Sequence, residues 1–193
     1  MWELIATTAS AFGLVFLAEL GDKTQLLAMG FGVRYPMRTV MIGLTLGFAA
    51  AGAIAALVGG VLGAALPEKP IAIVGGILFL LFALLTLRGI GRSADTVEAE
   101  MEHVVHTPNV VLSIALTIML GELGDKTQLT TATLAAQSNP VAVWVGATGG
   151  EVLAASIGAF FGAKLGARLE PDVVKIASAA LFALFGVLLL VSA

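Results

Sequence analysis

The chain has 193 residues, of which 59% are hydrophobic and 12% are charged, and its formal net charge is −3. Soluble domains carry about 25% charged residues, so this composition indicates an integral membrane protein, and no nucleic-acid partner is expected. The absence of cysteine excludes disulfides, thiolate metal ligands and cysteine nucleophiles.

Six apolar segments are long enough to cross a hydrocarbon core of about 30 Å. The predicted spans are 4–30, 40–65 and 71–90, then 109–135, 141–166 and 173–192. Between them, residues 91–108 form an acidic linker. The first span has no basic n-region, so we expect a retained helix rather than a signal peptide. The sequence thus predicts an all-α polytopic membrane protein built from two three-helix repeats, residues 1–90 and 109–193.

An internal repeat supports this division. Residues 19–25, Glu-Leu-Gly-Asp-Lys-Thr-Gln, recur unchanged at 122–128, and the same offset of 103 residues matches further positions without a gap. Those positions are Ser10/Ser113, Gly43/Gly146, Thr45/Thr148, Gly47/Gly150, Gly59/Gly162, Gly63/Gly166, Leu78-Phe79/Leu181-Phe182 and Leu81-Phe82/Leu184-Phe185. We interpret the glycine pairs Gly59/Gly63 and Gly162/Gly166 as helix-packing positions, and the matched hydroxyls as hydrogen-bonded within their own helices.

Three crossings per half is an odd number, so the second half enters the bilayer from the opposite side. The six helices are therefore predicted to form two inverted repeats, a plan typical of secondary transporters that bind substrate near the bilayer midplane. One side of the membrane carries seven loop cations: Arg34, Arg38, Arg88, Arg92, Lys164, Arg168 and Lys175. The other side carries only Lys69. The positive-inside rule then predicts that both termini and the 2–3 loop are outside and that the linker is cytoplasmic.

The repeated motif places ionisable side chains in the middle of two apolar spans. Each Glu, Asp or Lys costs roughly 2.5–3.5 kcal/mol at the centre of a membrane helix, which indicates a functional site. On a helix, Glu19 and Asp22 are three residues apart and Lys23 is four from Glu19, so all three can lie on neighbouring faces. The candidate metal ligands are Glu19, Asp22, Glu122 and Asp125, and the candidate supporting residues are Lys23, Thr24, Gln25, Lys126, Thr127 and Gln128. Such an oxygen-rich set is typical of sites for Ca²⁺, Mg²⁺ and Mn²⁺.

The summed charge of the motif residues predicts that a divalent cation is exchanged for protons. Four carboxylates and two lysines sum to −2, which one divalent cation or two protons would neutralise. Glu151 is a further acid in the fifth span, and its repeat partner is Phe48, so it breaks the symmetry of the halves. Two roles are open for Glu151: it holds a coupling proton, or it pairs with Lys23 or Lys126.

The doubled Glu-x-Gly-Asp-Lys-Thr motif resembles that of the calcium/manganese cation–proton antiporter family, within the lysine-exporter superfamily. The resemblance covers nearly the whole chain. It implies export of Mn²⁺, or Ca²⁺, from the cytosol in exchange for protons, with Glu19, Asp22, Glu122 and Asp125 as the motif acids. No cofactor is implied beyond the transported ions. Because the chain is shorter than organellar members, a bacterial plasma membrane is expected.

Several alternatives stay open at this point. A channel or uniporter for the same ions would need no proton coupling. An intramembrane enzyme is not expected, because the spans hold no His, no Cys and no nucleophile–base pair, and a cationic amino acid is a less favoured cargo. The motif acids could instead form structural pairs, Glu19 with Lys23 and Glu122 with Lys126. His103 and His106 fit a solvated linker better than a metal patch. Cation selectivity, H⁺ against Na⁺ coupling and pairing of two chains are not decided by the sequence.

Overall fold

The computed structural model describes residues 1–20, 22–88, 105–165 and 171–192, and every regular element in these ranges is an α-helix. The helices are α1 (Trp2–Glu19), α2 (Lys23–Arg34), α3 (Met37–Ala65), α4 (Glu68–Arg88), α5 (Val110–Glu122), α6 (Lys126–Gln137), α7 (Pro140–Leu165) and α8 (Pro171–Ser192). The predicted all-α class is therefore confirmed. Four of these helices, α1, α3, α4 and α7, are long and apolar enough to cross a membrane.

The first span of each half is not one helix. The sequence predicted continuous helices over 4–30 and 109–135, and this was wrong at both motifs. Helix α1 ends at Glu19 and α2 begins at Lys23, while α5 ends at Glu122 and α6 begins at Lys126. The other four predicted spans correspond to α3, α4, α7 and α8 within a few residues. The linker prediction for 91–108 falls mostly outside the described residues.

Large apolar side chains cover the outside of the helices. Leu57 is 69% exposed, Val61 is 67% exposed and Val74 is 57% exposed, although all three belong to helices that also contribute to the core. A soluble domain rarely exposes contiguous apolar surface on this scale. The pattern fits helices whose outer faces contact lipid.

Glycines set the contacts between the halves. A Cβ on Gly47 of α3 would lie 2.7 Å from the Ala115 carbonyl oxygen of α5, and a Cβ on Gly150 of α7 would lie 2.7 Å from the Phe12 carbonyl oxygen of α1. These two contacts are equivalent at the offset of 103 residues. Helix α1 therefore packs on α7 in the way that α5 packs on α3.

Contacts at successive positions give the helix directions. Gly43 and Gly63 of α3 lie against α5 near Ile114 and against α6 at Ala136, so α3 runs in the same direction as α5 and α6. Two contacts show that helices α3 and α7 run in opposite directions. Trp144 Nε1 of α7 donates to Ala49 O of α3 at 2.9 Å. Ser156, later in α7, donates from its Oγ to Sδ of Met41, which is earlier in α3, at 3.4 Å.

Helices α4 and α8 meet through an aromatic cluster. Phe79 and Phe182, which are equivalent in the repeat, lie with ring centroids 5.9 Å apart. The Phe82–Phe182 and Phe79–Phe185 pairs, also equivalent, are 6.0 and 6.3 Å apart. Equivalent residues of the two halves therefore contact each other in this cluster.

Replacing Gly59 by Ala is expected to destabilise the bundle. A Cβ at this position would clash with the Ala132 carbonyl oxygen of α6, which is backbone and cannot turn away. Overpacking of this kind typically costs about 1–3 kcal/mol. Gly13→Ala is the matched control, because a Cβ there has no atom within 4 Å and Ala favours the helix. Thermal unfolding in detergent would test this pair; an equal midpoint for both variants would contradict the packing assignment.

Candidate cation-binding site

The two helix breaks have nearly the same backbone geometry. Leu20 and Leu123 are extended, with φ/ψ of −61/126 and −62/115, and Asp22 and Asp125 are extended at −85/172 and −75/167. Asp22 N donates to Glu19 O at 3.1 Å, and Asp125 N donates to Glu122 O at 3.0 Å. Gly124 has φ +81, in the left-handed region that glycine tolerates. The identical motifs therefore fold into matching breaks.

Each break frees backbone groups and positions the acids. The last carbonyls of α1 and α5 and the first N–H groups of α2 and α6 have no partner within their own helix. Glu19 and Glu122 are the last residues of their helices, whereas Asp22 and Asp125 occupy the N-cap positions of the next. Interrupted membrane helices with ionisable residues at the break are the usual setting for ion sites in transporters.

Three carboxyl groups come together between the breaks. Glu19, Glu122 and Asp125 each offer an oxygen, and these oxygens all lie within 4.8 Å of one another. Glu19 is 0% exposed and Glu122 is 1% exposed. Both Glu19 carboxylate oxygens and Asp125 Oδ2 are buried without a hydrogen-bond partner. Unpartnered buried carboxyl oxygens are costly, so a cation or protons bound among these oxygens would satisfy them.

The threonines of both motifs bind the same acid. Thr24 Oγ1 donates to Glu122 Oε1 at 2.7 Å, and Thr127 Oγ1 donates to Glu122 Oε2 at 2.9 Å. Glu122 is thereby fixed by one hydroxyl from each half, while its repeat partner Glu19 receives neither. The site is symmetric in sequence and asymmetric in its hydrogen bonds.

The motif lysines form contacts between the halves. Lys126 Nζ lies 2.9 Å from Asp22 Oδ2, rather than beside Glu122 as the structural alternative required. Lys23 Nζ donates to Gly121 O, one of the carbonyls freed at the end of α5, at 2.9 Å. Asp22 is thus the one predicted ligand that the structure does not place in the three-carboxylate group.

The motif glutamines fasten each break to the opposite half. Gln25 Nε2 donates to Ala154 O of α7 at 3.1 Å, and Gln128 Nε2 donates to Ala51 O of α3 at 3.2 Å. These bonds are equivalent at the offset of 103 residues. Gln128 Oε1 also accepts from Gly124 N at 2.7 Å, across its own break. The amides therefore stabilise the framework around the carboxyl groups.

Glu151 lies beside the cluster on α7. It is 2% exposed, and its Oε2 is buried without a hydrogen-bond partner. The charges of Glu122 and Asp125 both act on it. Its repeat partner, Phe48, is a fully buried core residue, so only one half supplies an acid at this position. The pairing with Lys126 that the sequence left open is not formed, because Lys126 contacts Asp22.

The remaining polar residues of the spans are mostly satisfied locally. Three threonines of α6 donate to carbonyls one turn earlier: Thr130 to Lys126 O, Thr131 to Thr127 O and Thr133 to Leu129 O. Ser113 does not follow the expected pattern, because its hydroxyl contacts Thr107, before α5. Thr148 Oγ1 also departs from it, being buried with no partner. His106 is exposed, and His103 lies outside the described residues.

Sequence reasoning missed the backbone part of this site. The carbonyls of Gly121, Ala51 and Ala154 bind motif side chains, and no residue type marks them. The repeat offset could have connected the two amide bonds, since Ala51 and Ala154 are themselves 103 residues apart. It could not have given either bond on its own.

Helices long and apolar enough to cross a membrane, paired helix breaks and a buried carboxyl cluster between them are typical of membrane transporters for cations. A family model described as divalent cation/proton antiporter GDT1 matches residues 7–93 and 110–193. The chain therefore belongs to the GDT1 family, and the resemblance drawn from the motifs is confirmed. This is a family of transporters.

The chain aligns with some relatives over nearly their full length and with others over only part of it. The GDT1-like protein sll0615 of Synechocystis is 34% identical over 200 residues, covering 95% of this chain and 96% of that protein. GDT1-like protein 5 of Oryza sativa is 25% identical over 220 residues, covering 96% and 94%. Protein PAM71, chloroplastic, of Arabidopsis thaliana is 43% identical over 81 residues, which is 42% of this chain and 22% of that protein. No solved structure matches the chain.

Proposed function

We propose that this protein exports a divalent cation, Mn²⁺ or Ca²⁺, from the cytosol in exchange for protons. The observation that carries the proposal is the group formed by Glu19, Glu122 and Asp125, whose oxygens lie within 4.8 Å of one another. Hard divalent cations take carboxylate oxygens as ligands, and membership of the divalent cation/proton antiporter family supports the same cargo.

The charge balance of the site supports obligatory exchange. Asp22 and Lys126 neutralise each other at 2.9 Å. The three clustered carboxylates and Lys23 then sum to −2, which one divalent cation or two protons would balance. Buried net charge is expensive in the low dielectric of a membrane protein, so the empty, fully ionised site is disfavoured. A carrier of this kind changes its access only when loaded with cation or protons.

The packing supports an inverted repeat with alternating access. Helices α3 and α7, which are repeat partners, run in opposite directions, and short connections join each of them to the broken helix before it. In this proposal six crossings form two inverted three-helix repeats, with each broken span counted once. The halves rock against each other around the carboxyl cluster, exposing it to one side at a time. Both termini would lie outside the cytosol, in a bacterial plasma membrane.

Glu151 is the candidate for the coupling proton. It is buried close to the cluster, and it is acted on by the negative charges of Glu122 and Asp125. When the three clustered carboxylates hold a cation, Glu151 can release its proton at lower electrostatic cost, because the cation offsets the neighbouring charges. This role couples cation entry to proton exit without making Glu151 a ligand.

Reconstitution into liposomes tests the proposed function. With a pH gradient across the bilayer, Mn²⁺ or Ca²⁺ flux is expected to run opposite to proton movement, and an ionophore that collapses the gradient should stop net transport. Asp125→Asn is expected to abolish both movements. Cation flux indifferent to the gradient would indicate a channel or uniporter instead. If neither ion is transported and a cationic amino acid is taken up instead, the transported substrate is that amino acid and not a divalent cation.

A further inference from the structure

The two motif aspartates occupy different environments although their sequence contexts are identical. Asp22 Oδ2 contacts Lys126 Nζ at 2.9 Å, and the pair is partly exposed, 23% for the Asp22 side chain and 17% for Lys126. Asp125 belongs to the buried carboxyl group with Glu19 and Glu122, and its Oδ2 is buried without a partner. One aspartate is therefore paired with a lysine, whereas the other belongs to the carboxyl cluster and has one oxygen without a hydrogen-bond partner.

We propose that Asp22 is not a cation ligand and that it keeps the Lys126 ammonium out of the cation position. Glu19, Glu122 and Asp125 alone would then supply the carboxylate ligands. This inference rests on the proposed function. It assigns different roles to the equivalent aspartates of two motifs that have the same sequence. Asp22 and Lys126 are positioning residues in this scheme.

Lys126 is close enough to the cluster to compete with a cation. Lys126 directly follows Asp125, a member of the cluster, at the start of α6. Lysine has a flexible four-carbon stem and a compact charge, so the ammonium group can turn to another carboxyl group when Asp22 is neutralised. The contact with Asp22 is the interaction that holds it at the partly exposed edge of the site.

The other motif shows why the roles differ. Lys23, the repeat partner of Lys126, donates to Gly121 O, a freed carbonyl at the end of α5. A backbone carbonyl cannot be removed by substitution, so Asp125→Asn leaves this acceptor for Lys23 in place. The hydroxyls of Thr24 and Thr127 hold Glu122 in the cluster with Asp125.

The test compares loss and rescue at both motifs. The variants are Asp22→Asn, Asp22→Asn with Lys126→Gln, Asp125→Asn, and Asp125→Asn with Lys23→Gln. Mn²⁺ binding to the full chain in detergent is measured by electron paramagnetic resonance of the free ion. Asp22→Asn is expected to weaken binding about 10–100-fold, the usual effect of losing a residue that positions a metal ligand set. Adding Lys126→Gln should recover most of that loss, because the released competitor is gone.

The matched pair at the second motif should behave differently. Asp125→Asn is expected to weaken binding at least as much, and Lys23→Gln should not rescue it, because a ligand is missing. If Lys126→Gln fails to rescue Asp22→Asn, Asp22 is a ligand and the proposal is overturned. Absence of Mn²⁺ and Ca²⁺ binding in the unaltered chain would instead contradict the proposed function.

A variant in which the charges at positions 22 and 126 are exchanged separates the role of the ion pair from a folding defect. Asp22→Lys combined with Lys126→Asp preserves the ion pair but moves the carboxylate to α6. We expect this double variant to retain Mn²⁺ binding, since the pair is still satisfied. A folded, monodisperse double variant that binds no Mn²⁺ would show that the carboxylate is needed at position 22 itself.

Discussion

Replacing Glu19 by Gln is expected to abolish cation binding and therefore all transport. Glu19 is fully buried, and neither of its oxygens has a hydrogen-bond partner, so the substitution breaks no side-chain hydrogen bond. An amide removes one of three clustered negative charges while keeping the shape of the side chain. At an effective dielectric constant near 20, one charge pair at 4 Å is worth about 4 kcal/mol, or roughly 10³-fold in affinity. Titration of Mn²⁺ into the purified protein measures this loss.

Glu3→Gln provides the matched control for that result. Glu3 lies in the first turn of the same helix and is exposed, so the same chemical change should leave affinity unchanged. If Glu19→Gln leaves the Mn²⁺ affinity unchanged, Glu19 is not a ligand in the site. A loss in both variants would point to the overall charge of the chain rather than to the cluster.

The membrane class and most helices could be predicted because they depend on hydrophobic length. Apolar runs bounded by charged or turn residues predicted α3, α4, α7 and α8 within a few residues. The breaks at Glu19 and Glu122 could not be predicted in this way, because length alone does not reveal a short interruption. What stabilises each break lies in the other half: the amides of Gln25 and Gln128 bind carbonyls of α7 and α3.

The cluster itself was only partly predictable. Repetition of a costly charged motif indicated that both motifs serve one site, and the structure brings Glu19, Glu122 and Asp125 together. Sequence could not separate Asp22 from Asp125, because seven residues around each are identical. The difference arises from tertiary contacts, in which Lys126 reaches Asp22 while both threonine hydroxyls turn to Glu122. A symmetric sequence can thus fold into an asymmetric site.

The two halves also differ in sequence at one buried position, where the second half has Glu151 and the first half has Phe48. Phe48 fills the equivalent place in the first half with a fully buried ring, so the second half alone carries an additional acid. Glu151 is buried, and one of its oxygens has no hydrogen-bond partner. Under the proposed function, this acid carries the proton that leaves when the cation enters.

Glu151→Gln is therefore expected to separate proton coupling from cation movement. In liposomes, efflux driven by a pH gradient should fall, because the amide cannot release the proton that Glu151 contributes, while the clustered carboxylates still exchange theirs. Exchange of labelled for unlabelled Mn²⁺ at equal pH should persist, since the three clustered carboxylates remain. Loss of both activities would make Glu151 a cation ligand, and retention of both would make it a structural residue. Glu19→Gln, which should lose both activities, distinguishes the binding step from the coupling step in the same assay.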